Sequence, residues 1–404
     1  MSVPDDHMAE GGEMSVWNDL VGQSAAVATL RRAVTAAHGG GGQAMTHAWL
    51  FTGPPGSGRS NAARAFAAAL QCRKDGCGDC AECRTALSGA HPDVTVVRTE
   101  KLSIGVAEVR ELVRNAGMAP VVGQVQAIVV EDADRITERG ADALLKAIEE
   151  PPPRTVWMLC APTPDEVVIT IRSRSRHLRM STPSDAEVAD LLVRRDGIAP
   201  EMASHAARAA QGHVGRARVL ARDETARQRR NDVLAIPSRL RSIADCMIAA
   251  ERVVQASADE AAAATADLDA AERAELSEAL GMGTKGVRPR HAAAALKELE
   301  EQQRARAKRL QRDSLDRVLT ELTTWYRDVL GVQTGAFAAT LDDAPGAHLI
   351  NIDLRDHVAR SARAVTPEQT VRHVDAILAA RKALELNVSP QLAMESLLVS
   401  LADL

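Results

Sequence analysis

The chain has 404 residues, more than one ordinary hydrophobic core accommodates, so two or three domains are expected. Hydrophobic residues make up 46% and charged residues 25%, a globular composition that argues against a disordered or membrane-embedded chain. Aromatic residues contribute only 2%, and reliance on alanine and leucine favours helices over a sandwich of strands. The formal net charge of -5 excludes a protein that coats nucleic acid by bulk electrostatics, so any DNA contact must be local.

The N-terminal region shows no targeting signal. Residues 1–15 are polar, lack the apolar core of a signal peptide and predict a flexible tail. No apolar run in the chain reaches the roughly 18 residues that a membrane span needs. These features predict a cytoplasmic protein.

A helix and then an α/β domain are predicted over residues 16–180. Apolar residues recur at helical spacing after Asp19, and the glycines at 39–42 end this pattern. Four later apolar runs are predicted to be strands buried on both faces: HAWLFT, VTVV, QAIVVED and TVWMLCA. Because they alternate with helical stretches, we expect a parallel sheet with helices on both faces.

The first predicted strand leads into GPPGSGRS, a phosphate-binding loop, and then into a helix. The glycines permit the turns that point backbone N–H groups inward, and the helix adds positive potential for a phosphate. The loop carries Arg59 where such loops use a lysine to reach the β and γ phosphates. Two interpretations stay open: a nucleotide pocket that binds weakly, and a retained fold element without a ligand.

An acidic partner of this loop is predicted at the end of AIVVED. P-loop enzymes use an aspartate there for Mg²⁺ and a following glutamate to activate water. This chain has Glu131 and then Asp132, which displaces both carboxylates by about one methylene, so its own ATP hydrolysis is expected to be absent or weak. ATP and Mg²⁺ are candidate ligands of a degenerate site, whose predicted residues are Gly53, Gly56, Gly58, Arg59, Ser60, Glu131 and Asp132.

Four of the six cysteines fall at the spacing C-x4-C-x2-C-x2-C, within residues 72–83. They are Cys72, Cys77, Cys80 and Cys83. In a reducing compartment such clustering favours metal over disulfides, and four thiolates can close a tetrahedron around zinc. An iron–sulfur cluster is the alternative. Four protein ligands leave no open position, so structural Zn²⁺ is predicted, while Cys160 and Cys246 are expected to be buried thiols.

Only helices are predicted after the α/β domain. Three short ones over residues 181–222 would form a lid, and residues 223–404 would form a second helical domain. An alanine-rich hairpin is expected around 238–310, with the basic loop 281–290 at its tip. Its heptads are irregular, so ordinary packing or a partly exposed arm is favoured over a coiled coil. The segment 366–404 predicts two further helices.

Several motifs, in this order, resemble bacterial clamp-loader subunits of the AAA+ family. They are THAWLFTGPPGSGRS, the four cysteines, HPDV, ADALLKAIEEPP and TIRSRS. LNVSPQLAMESLL is similar to the end of the family's collar domain. The resemblance extends from Trp17 to Leu404 except for residues 226–310. It implies a P-loop AAA+ domain, a helical lid and an all-helical collar for oligomerisation.

The resemblance also implies a trans-acting arginine. The family's Ser-Arg-Cys triplet corresponds to Ser173, Arg174 and Ser175, so Arg174 is expected to reach the ATP bound by a neighbouring subunit. Without the family, RSRSRHLR would be interpreted as a solvated basic turn. The family's ATPase subunits also carry a lid arginine, whereas this chain has Gly215 there and Arg216 one residue later.

These departures favour a delta-prime-like subunit of the DNA polymerase III clamp loader, a nucleotidyltransferase assembly. An ATP-hydrolysing subunit of the tau or gamma kind is the alternative. The expected partners are the tau/gamma ATPases and delta in a heteropentamer, with the sliding clamp and primed DNA reached through it. No membrane partner is expected, and the location is the cytoplasm, at the replisome. A zinc-bearing nucleic-acid-binding protein is a third hypothesis, but the cysteine loop is near neutral and lacks aromatic platforms.

Overall fold

The computed structural model of the protein describes residues 15–40, 43–99, 103–280, 292–337 and 349–402. It divides into two compact units, the first ending at Ala221 and the second beginning at Arg222, and each has hydrophobic cores of its own. Residues 1–14 of the predicted tail and the basic loop 281–290 lie outside the described residues. None of the helices in the described ranges is both long and apolar enough to cross a bilayer.

The first unit is built on a five-stranded parallel sheet in the order β2-β3-β4-β1-β5. The strands are β1 (Ala48–Thr52), β2 (Val94–Val97), β3 (Gln126–Val130), β4 (Thr155–Ala161) and β5 (Arg176–Arg179). The four strands predicted from apolar runs are confirmed as β1 to β4. The sequence does not predict β5, because RHLR is mostly polar and only Leu178 is buried at this edge of the sheet.

The central strands separate two hydrophobic cores. Alternate residues of a strand point to opposite faces, so Trp49 and Phe51 join one core while Leu50 joins the other. Strands β1, β3 and β4 are buried along their whole length, as predicted. The prediction of burial on both faces is wrong for β2, an edge strand in which only Val94 is buried. Each buried large apolar side chain contributes about 1.5–3 kcal/mol, so the central strands and the helices packed on them together stabilise this unit.

Within the described ranges, six helices accompany the sheet and three follow it. They are α1 (Ser24–Thr35), α2 (Arg59–Gln71), α3 (Ala81–Ser88), α4 (Val106–Ala116), α5 (Glu138–Glu149), α6 (Ile169–Arg172), α7 (Asp185–Asp196), α8 (Pro200–Ala210) and α9 (Val214–Arg222). Helix α1 begins at Ser24 rather than directly after Asp19, because apolar residues between positions 16 and 20 are buried in a preceding turn. It runs on into a π-helical turn over Ala36–Gly40, where the glycines begin.

The three short helices predicted after the sheet are α7, α8 and α9. Ser184 caps α7, and Glu187 reaches back to the cap in a capping box. Gly197 ends α7 in the left-handed conformation, and Pro200 opens α8 at a position where its missing N–H has no cost. These local signals break the segment into short helices.

The second unit is helical in its described residues. Its helices are α10 (Glu224–Leu234), α11 (Ile243–Ala279), α12 (Ala292–Gln333), α13 (Arg355–Ala364), α14 (Pro367–Glu385) and α15 (Pro390–Leu401). Helices α11, α12, α14 and α15 all contribute to one core, in which Trp325 is among the largest fully buried side chains. The two helices predicted for the segment 366–404 are α14 and α15.

Helices α11 and α12 pack against each other as the predicted hairpin. Near its tip the seam is polar: the Nη2 of Arg306 lies 3.2 Å from Asp269 Oδ1 and 2.5 Å from Glu272 Oε2. Gln303 Nε2 donates to the carbonyl oxygen of Asp269 over 3.0 Å, and Ala261 is one of the small buried residues of α11. Ion pairs and small residues thus replace a leucine seam, which explains the irregular heptads.

Candidate functional site

The phosphate loop has the strand, loop and helix order that its sequence predicts. It leaves β1 at Thr52 and enters α2 at Arg59. Gly56 and Gly58 have φ angles of 86° and 88°, a left-handed conformation that residues with a side chain rarely adopt. Ser60 lies half-buried in the first turn of α2. The N–H groups at the start of this helix supply the positive potential that a phosphate requires.

Arg59 is bonded to the loop itself. Its Nη1 donates to the carbonyl oxygen of Gly53 over 2.7 Å. Burial lowers the pKa of the Arg59 guanidinium, and nearby acidic groups such as Asp134 partly offset this effect. The guanidinium therefore holds the loop closed at a position where a competent loop extends a lysine toward the β and γ phosphates.

Glu131 is also paired within the chain. It follows β3, and its Oε1 lies 2.7 Å from the Nε of Arg64 in α2. The Glu131 side chain is 10% exposed, so this ion pair is shielded from water more than a surface pair is. Asp132 comes next and precedes a short 3₁₀ turn over Ala133–Arg135. Of the Glu131 oxygens, Oε1 is the one that Arg64 engages, so a metal ion at this carboxylate would compete with Arg64 for its charge.

His213, between α8 and α9, also lies against the phosphate loop. His213 directly precedes α9, and a Cβ built on Gly56 would lie 2.4 Å from the His213 Cγ. Burial lowers the pKa of His213, and the positive charges of Arg216 and Arg59 lower it further, so the ring is neutral near pH 7. Its Nδ1 accepts the N–H of Arg216 over 3.2 Å. Sequence alone does not predict the contact, since His213 and Gly56 are far apart in the chain.

Gln23 links the phosphate loop to Ser181, which precedes the three short helices α7 to α9. Its side chain is buried, and its Nε2 donates to the carbonyl oxygens of Ser57 and Ser181 over 3.2 and 2.6 Å. Its Oε1 accepts the N–H of Ser181 over 3.0 Å. Hydrogen bonds within the chain thus fix the loop and Ser181 relative to each other. A single glutamine carries no pattern, so the sequence does not predict this role.

The four clustered cysteines are brought together as predicted. Their sulfur atoms all lie within 4.8 Å of one another, and Cys72 Sγ lies 3.7 Å from both Cys77 Sγ and Cys80 Sγ. Cys83, in the first turn of α3, is buried. In a tetrahedron with zinc–thiolate bonds of about 2.3 Å, the sulfur atoms are about 3.8 Å apart. The group can therefore hold a metal ion of this kind.

Local hydrogen bonds prepare one of these thiols to bind a cation. The backbone N–H groups of Asp79 and Cys80 lower the pKa of Cys77 to about 7. Burial raises the pKa of Cys80 to about 11, an effect that a metal cation would reverse by stabilising the thiolate. Cys160 and Cys246 are buried outside the cluster, as predicted.

The segment Cys72–Cys83, the cysteine module, is fixed to the body of the first unit. Trp17 Nε1 donates to the carbonyl oxygen of Asp75 over 3.3 Å, and the Val16 N–H donates to that of Gly76 over 3.1 Å. His38 Nδ1 lies 2.8 Å from Asp75 Oδ1. This docking, together with four ligands that leave no open position, suits a structural site rather than a catalytic one.

Arg174 lies on a different turn from the phosphate loop, one residue beyond the C-cap of α6. Its Nη2 lies 2.7 Å from Glu149 Oε1, and its Nη1 donates to the carbonyl oxygen of Thr170 and to Ser173 Oγ over 3.0 and 3.2 Å. Its side chain is 41% exposed. Arg176 begins β5, so only the first half of RSRSRHLR is a turn. The Arg174 guanidinium is thus held in place and accessible from outside the chain.

A parallel sheet with a phosphate loop after β1, followed by three short helices, defines a P-loop protein of the AAA+ class. Residues 23–184 match the protein-family model described as DNA polymerase III, delta subunit. The chain resembles the clamp-loader subunits of bacterial DNA polymerase III, as its motifs predicted. A solved gamma-subunit-related protein of DNA polymerase III from Thermotoga maritima aligns with 93% of this chain and 98% of that chain, at 13% identity and a TM-score of 0.39.

Relatives of two kinds match part of the chain. The DNA polymerase III gamma/tau subunit of Mycobacterium tuberculosis is 35% identical over 164 residues, which are 39% of this chain and 27% of that protein. The delta-prime subunits of Bacillus subtilis and Pseudomonas aeruginosa are 31% and 34% identical over 39% and 38% of this chain. The matched region spans 49% of each delta-prime relative. These identities do not separate the delta-prime kind from the gamma/tau kind.

Proposed function

We propose that this chain is a delta-prime-like subunit of the replicative clamp loader, which helps to load the sliding clamp onto primed DNA. Its own ATPase is absent or weak, and Arg174 acts on the ATP of a neighbouring subunit. The observation that carries the proposal is the internal pairing of the phosphate site, where Arg59 bonds Gly53 and Arg64 pairs with Glu131. An ATP-hydrolysing subunit needs these positions for phosphate and metal.

The position of Arg174 supports an action on a partner. The side chain is exposed and precedes β5, an edge strand of the sheet, so another subunit can approach it. A guanidinium that neutralises charge on a transferring γ phosphate accelerates hydrolysis by about 10³–10⁵. The phosphate loop of the same chain lies elsewhere, after β1, which is consistent with a neighbour's nucleotide as the target.

An apolar surface on the second unit supports assembly with other subunits. Helices α14 and α15 pack against each other and expose large apolar side chains at seven-residue spacing, Val371 and Leu378 on α14 and Leu392 and Val399 on α15. Leu386, in the turn between them, is 69% exposed. Contiguous exposed apolar residues are typical of protein interfaces, and we propose that these residues form such a surface. We assign this surface to the tau/gamma and delta partners of a heteropentamer.

Three domains follow from this function. Residues 16–180 form the AAA+ domain, residues 181–222 the lid and residues 223–404 the collar, in which the hairpin at 238–310 is an insertion. The cysteine module holds structural Zn²⁺ in the AAA+ domain. The assembled complex reaches the clamp and primed DNA and works in the cytoplasm, at the replisome.

The test is ATP hydrolysis by a loader reconstituted from this chain and its partner subunits, with clamp and primed DNA. Arg174→Ala is expected to slow hydrolysis at the neighbouring site by about 10³ or more. The amplitude of a single-turnover burst of hydrolysis should therefore fall by the contribution of that site. Arg172→Ala is the matched control, because it removes the same charge from the same turn, where Arg172 pairs with Asp165. It should leave the burst intact. An unchanged burst with Arg174→Ala contradicts the proposed role.

An ATP-hydrolysing subunit of the tau or gamma kind is the second candidate, favoured by the 35% identity to the Mycobacterium tuberculosis gamma/tau subunit. This alternative requires that nucleotide binding breaks the contacts of Arg59 with Gly53 and of Arg64 with Glu131. ATP hydrolysis by the isolated chain distinguishes the two candidate functions. The proposed function predicts no hydrolysis above background. Hydrolysis as fast as that of the assembled loader would establish the alternative.

A further inference from the structure

We propose that Glu149 is the positioning residue that holds Arg174 for its action on a neighbouring subunit's nucleotide, an inference that rests on the proposed function. Glu149 is the last residue of α5, and its Oε1 lies 2.7 Å from the Nη2 of Arg174. In the sequence it belongs to ADALLKAIEEPP, whose apolar residues predict a packed helix face and whose charged residues, Glu149 among them, fall off that face.

The guanidinium of Arg174 is held from two directions. Its Nη1 bonds the carbonyl oxygen of Thr170 and the Oγ of Ser173, both in or next to α6. Its Nη2 meets Glu149, which belongs to a different helix. The hydrogen bonds to Thr170 and Ser173 both come from Nη1, and the contact with Glu149 is an ion pair at Nη2. A guanidinium carries five N–H donors, so this arrangement leaves donors for a phosphate oxygen outside the chain.

Glu149 supplies a fixed reference for this orientation. Helix α5 is anchored in the core by Leu144 and Ile148, each 1% exposed, and it packs against α6. The hydrogen bonds to Thr170 and Ser173 tie Arg174 to its own turn, which Ile171 of α6 anchors in the same core. The ion pair with Glu149 adds a contact from a second helix, so it fixes the direction of the guanidinium between α5 and α6.

The location of Glu149 is unfavourable for the helix that carries it. A helix C-terminus has partial negative charge, so an acidic residue in the last turn is disfavoured and a basic one is preferred there. Arg174 offsets this repulsion at Glu149, so the two charges favour each other at this helix end.

Orientation, rather than stability, is what this pair contributes. Both side chains are 41% exposed, and exposed ion pairs stabilise a fold little. Arginine has many rotamers, so a side chain held in one of them loses less entropy when it engages the reacting phosphate. Removal of Glu149 should leave the chain folded and make Arg174 less effective.

The test compares Glu149→Ala with Glu150→Ala in the reconstituted loader with clamp and primed DNA. Glu150 is the adjacent, exposed acidic residue, which makes it a matched control for the loss of charge at this helix end. Glu149→Ala is expected to lower kcat at the site that Arg174 serves by about three- to tenfold, and Glu149→Gln by less. The KM for ATP should not change, because another subunit binds the nucleotide. Glu150→Ala should match the wild type.

A second comparison separates positioning from a structural role. In an Arg174→Ala background, Glu149→Ala should cause no further loss, whereas a structural defect would lower activity in both backgrounds. Wild-type or higher kcat with Glu149→Ala, while Arg174→Ala is impaired, would overturn this inference alone. A further loss in the Arg174→Ala background would do the same. Full activity of Arg174→Ala would instead overturn the proposed function, and this inference with it.

Discussion

The phosphate loop and the turn that carries Arg174 each contain an arginine bonded to a backbone carbonyl, yet they direct its charge differently. Arg59 turns back onto Gly53 in a partly buried corner, so its donors hold the loop closed. Arg174 bonds Thr170 but stays 41% exposed. The difference in burial therefore distinguishes the two arginines: Arg59 stabilises its own loop, whereas Arg174 is available to a partner.

Other polar groups of the first unit share the inward arrangement of the phosphate loop. The cysteine module and Asp93 are partnered within the chain, as Arg59 is. If this comparison is correct, substitutions of these internally partnered groups lower the stability of the isolated chain. Substitutions around Arg174 then lower only the activity of the assembled complex.

The largest loss is expected at the cysteine module. A structural zinc contributes about 10 kcal/mol or more to local folding, so a chelator or Cys80→Ser should lower the Tm of the chain strongly. Metal analysis should find about one zinc per wild-type chain. Cys246→Ser, in the second unit, is the control and should keep the metal. A wild-type chain without zinc, or a Cys80→Ser chain that retains it, would contradict the assignment.

Asp93 should give the next largest effect. Its buried carboxylate accepts the N–H groups of Val121, Val122 and Gly123 over 2.6, 2.8 and 2.5 Å. Asp93→Ala removes the acceptor of three N–H groups and is expected to cost about 2–5 kcal/mol. This is less than three times the roughly 1.5–3 kcal/mol of one hydrogen bond to a charged group, because Val121 and Val122 are exposed and water can replace part of the carboxylate's role. Denaturant unfolding measures the loss. Asp93→Asn keeps one acceptor oxygen and should lose less, and equal stability of all three chains would refute this account.

Acid provides a second measurement of the same contact. Burial raises the pKa of Asp93, but the N–H groups of Val121, Gly123 and Val122 outweigh burial and hold the pKa below its ordinary value. A carboxylate whose pKa is lower in the folded state contributes stability that is complete above about pH 4 and is lost as pH falls through the folded pKa. The wild type should therefore lose more stability than Asp93→Ala between about pH 5 and pH 2. Parallel curves would argue against it.

The smallest effect is a difference between two glycines of the phosphate loop. Gly56 and Gly58 have nearly the same φ, but only at Gly56 would a Cβ collide with His213, since nothing lies within 4 Å of one on Gly58. Gly58→Ala is expected to cost about 1–2 kcal/mol from left-handed strain, and Gly56→Ala about 1–3 kcal/mol more. Thermal unfolding measures both. His213→Ala removes the ring but keeps the Cβ and Cα of residue 213, which lie 2.5 and 2.6 Å from a Cβ on Gly56, so it should recover only part of the difference. Equal costs of the two glycine substitutions would show that His213 does not pack there.

Local pattern predicts much of the first unit. Strands β1, β3 and β4 are apolar runs, and spacing alone identifies the phosphate loop and the cysteine cluster. An edge strand buries few side chains, so β5, with only Leu178 buried, has no comparable signal. Apolar residues between positions 16 and 20 suggested a longer α1, but they are buried in a turn.

The contacts of the site were less accessible to sequence than its residues. Arg59 is visible as a departure from the expected lysine, yet its acceptor, Gly53, depends on the course of the loop. The pairing of Arg64 with Glu131 joins α2 to the end of β3, and only the folded sheet brings them together. The action of Arg174 on a neighbouring subunit's ATP and the identity of the metal stay predictions.

The contacts of Trp17 with the cysteine module also constrain the order of folding during synthesis. The acceptor of its indole N–H is the carbonyl of Asp75, 58 residues further along the chain. At roughly 5–20 residues per second, the ribosome completes that partner about 3–12 s after Trp17. The segment around Trp17 is therefore made early and docks late. Its indole passes from water into a buried contact at that moment.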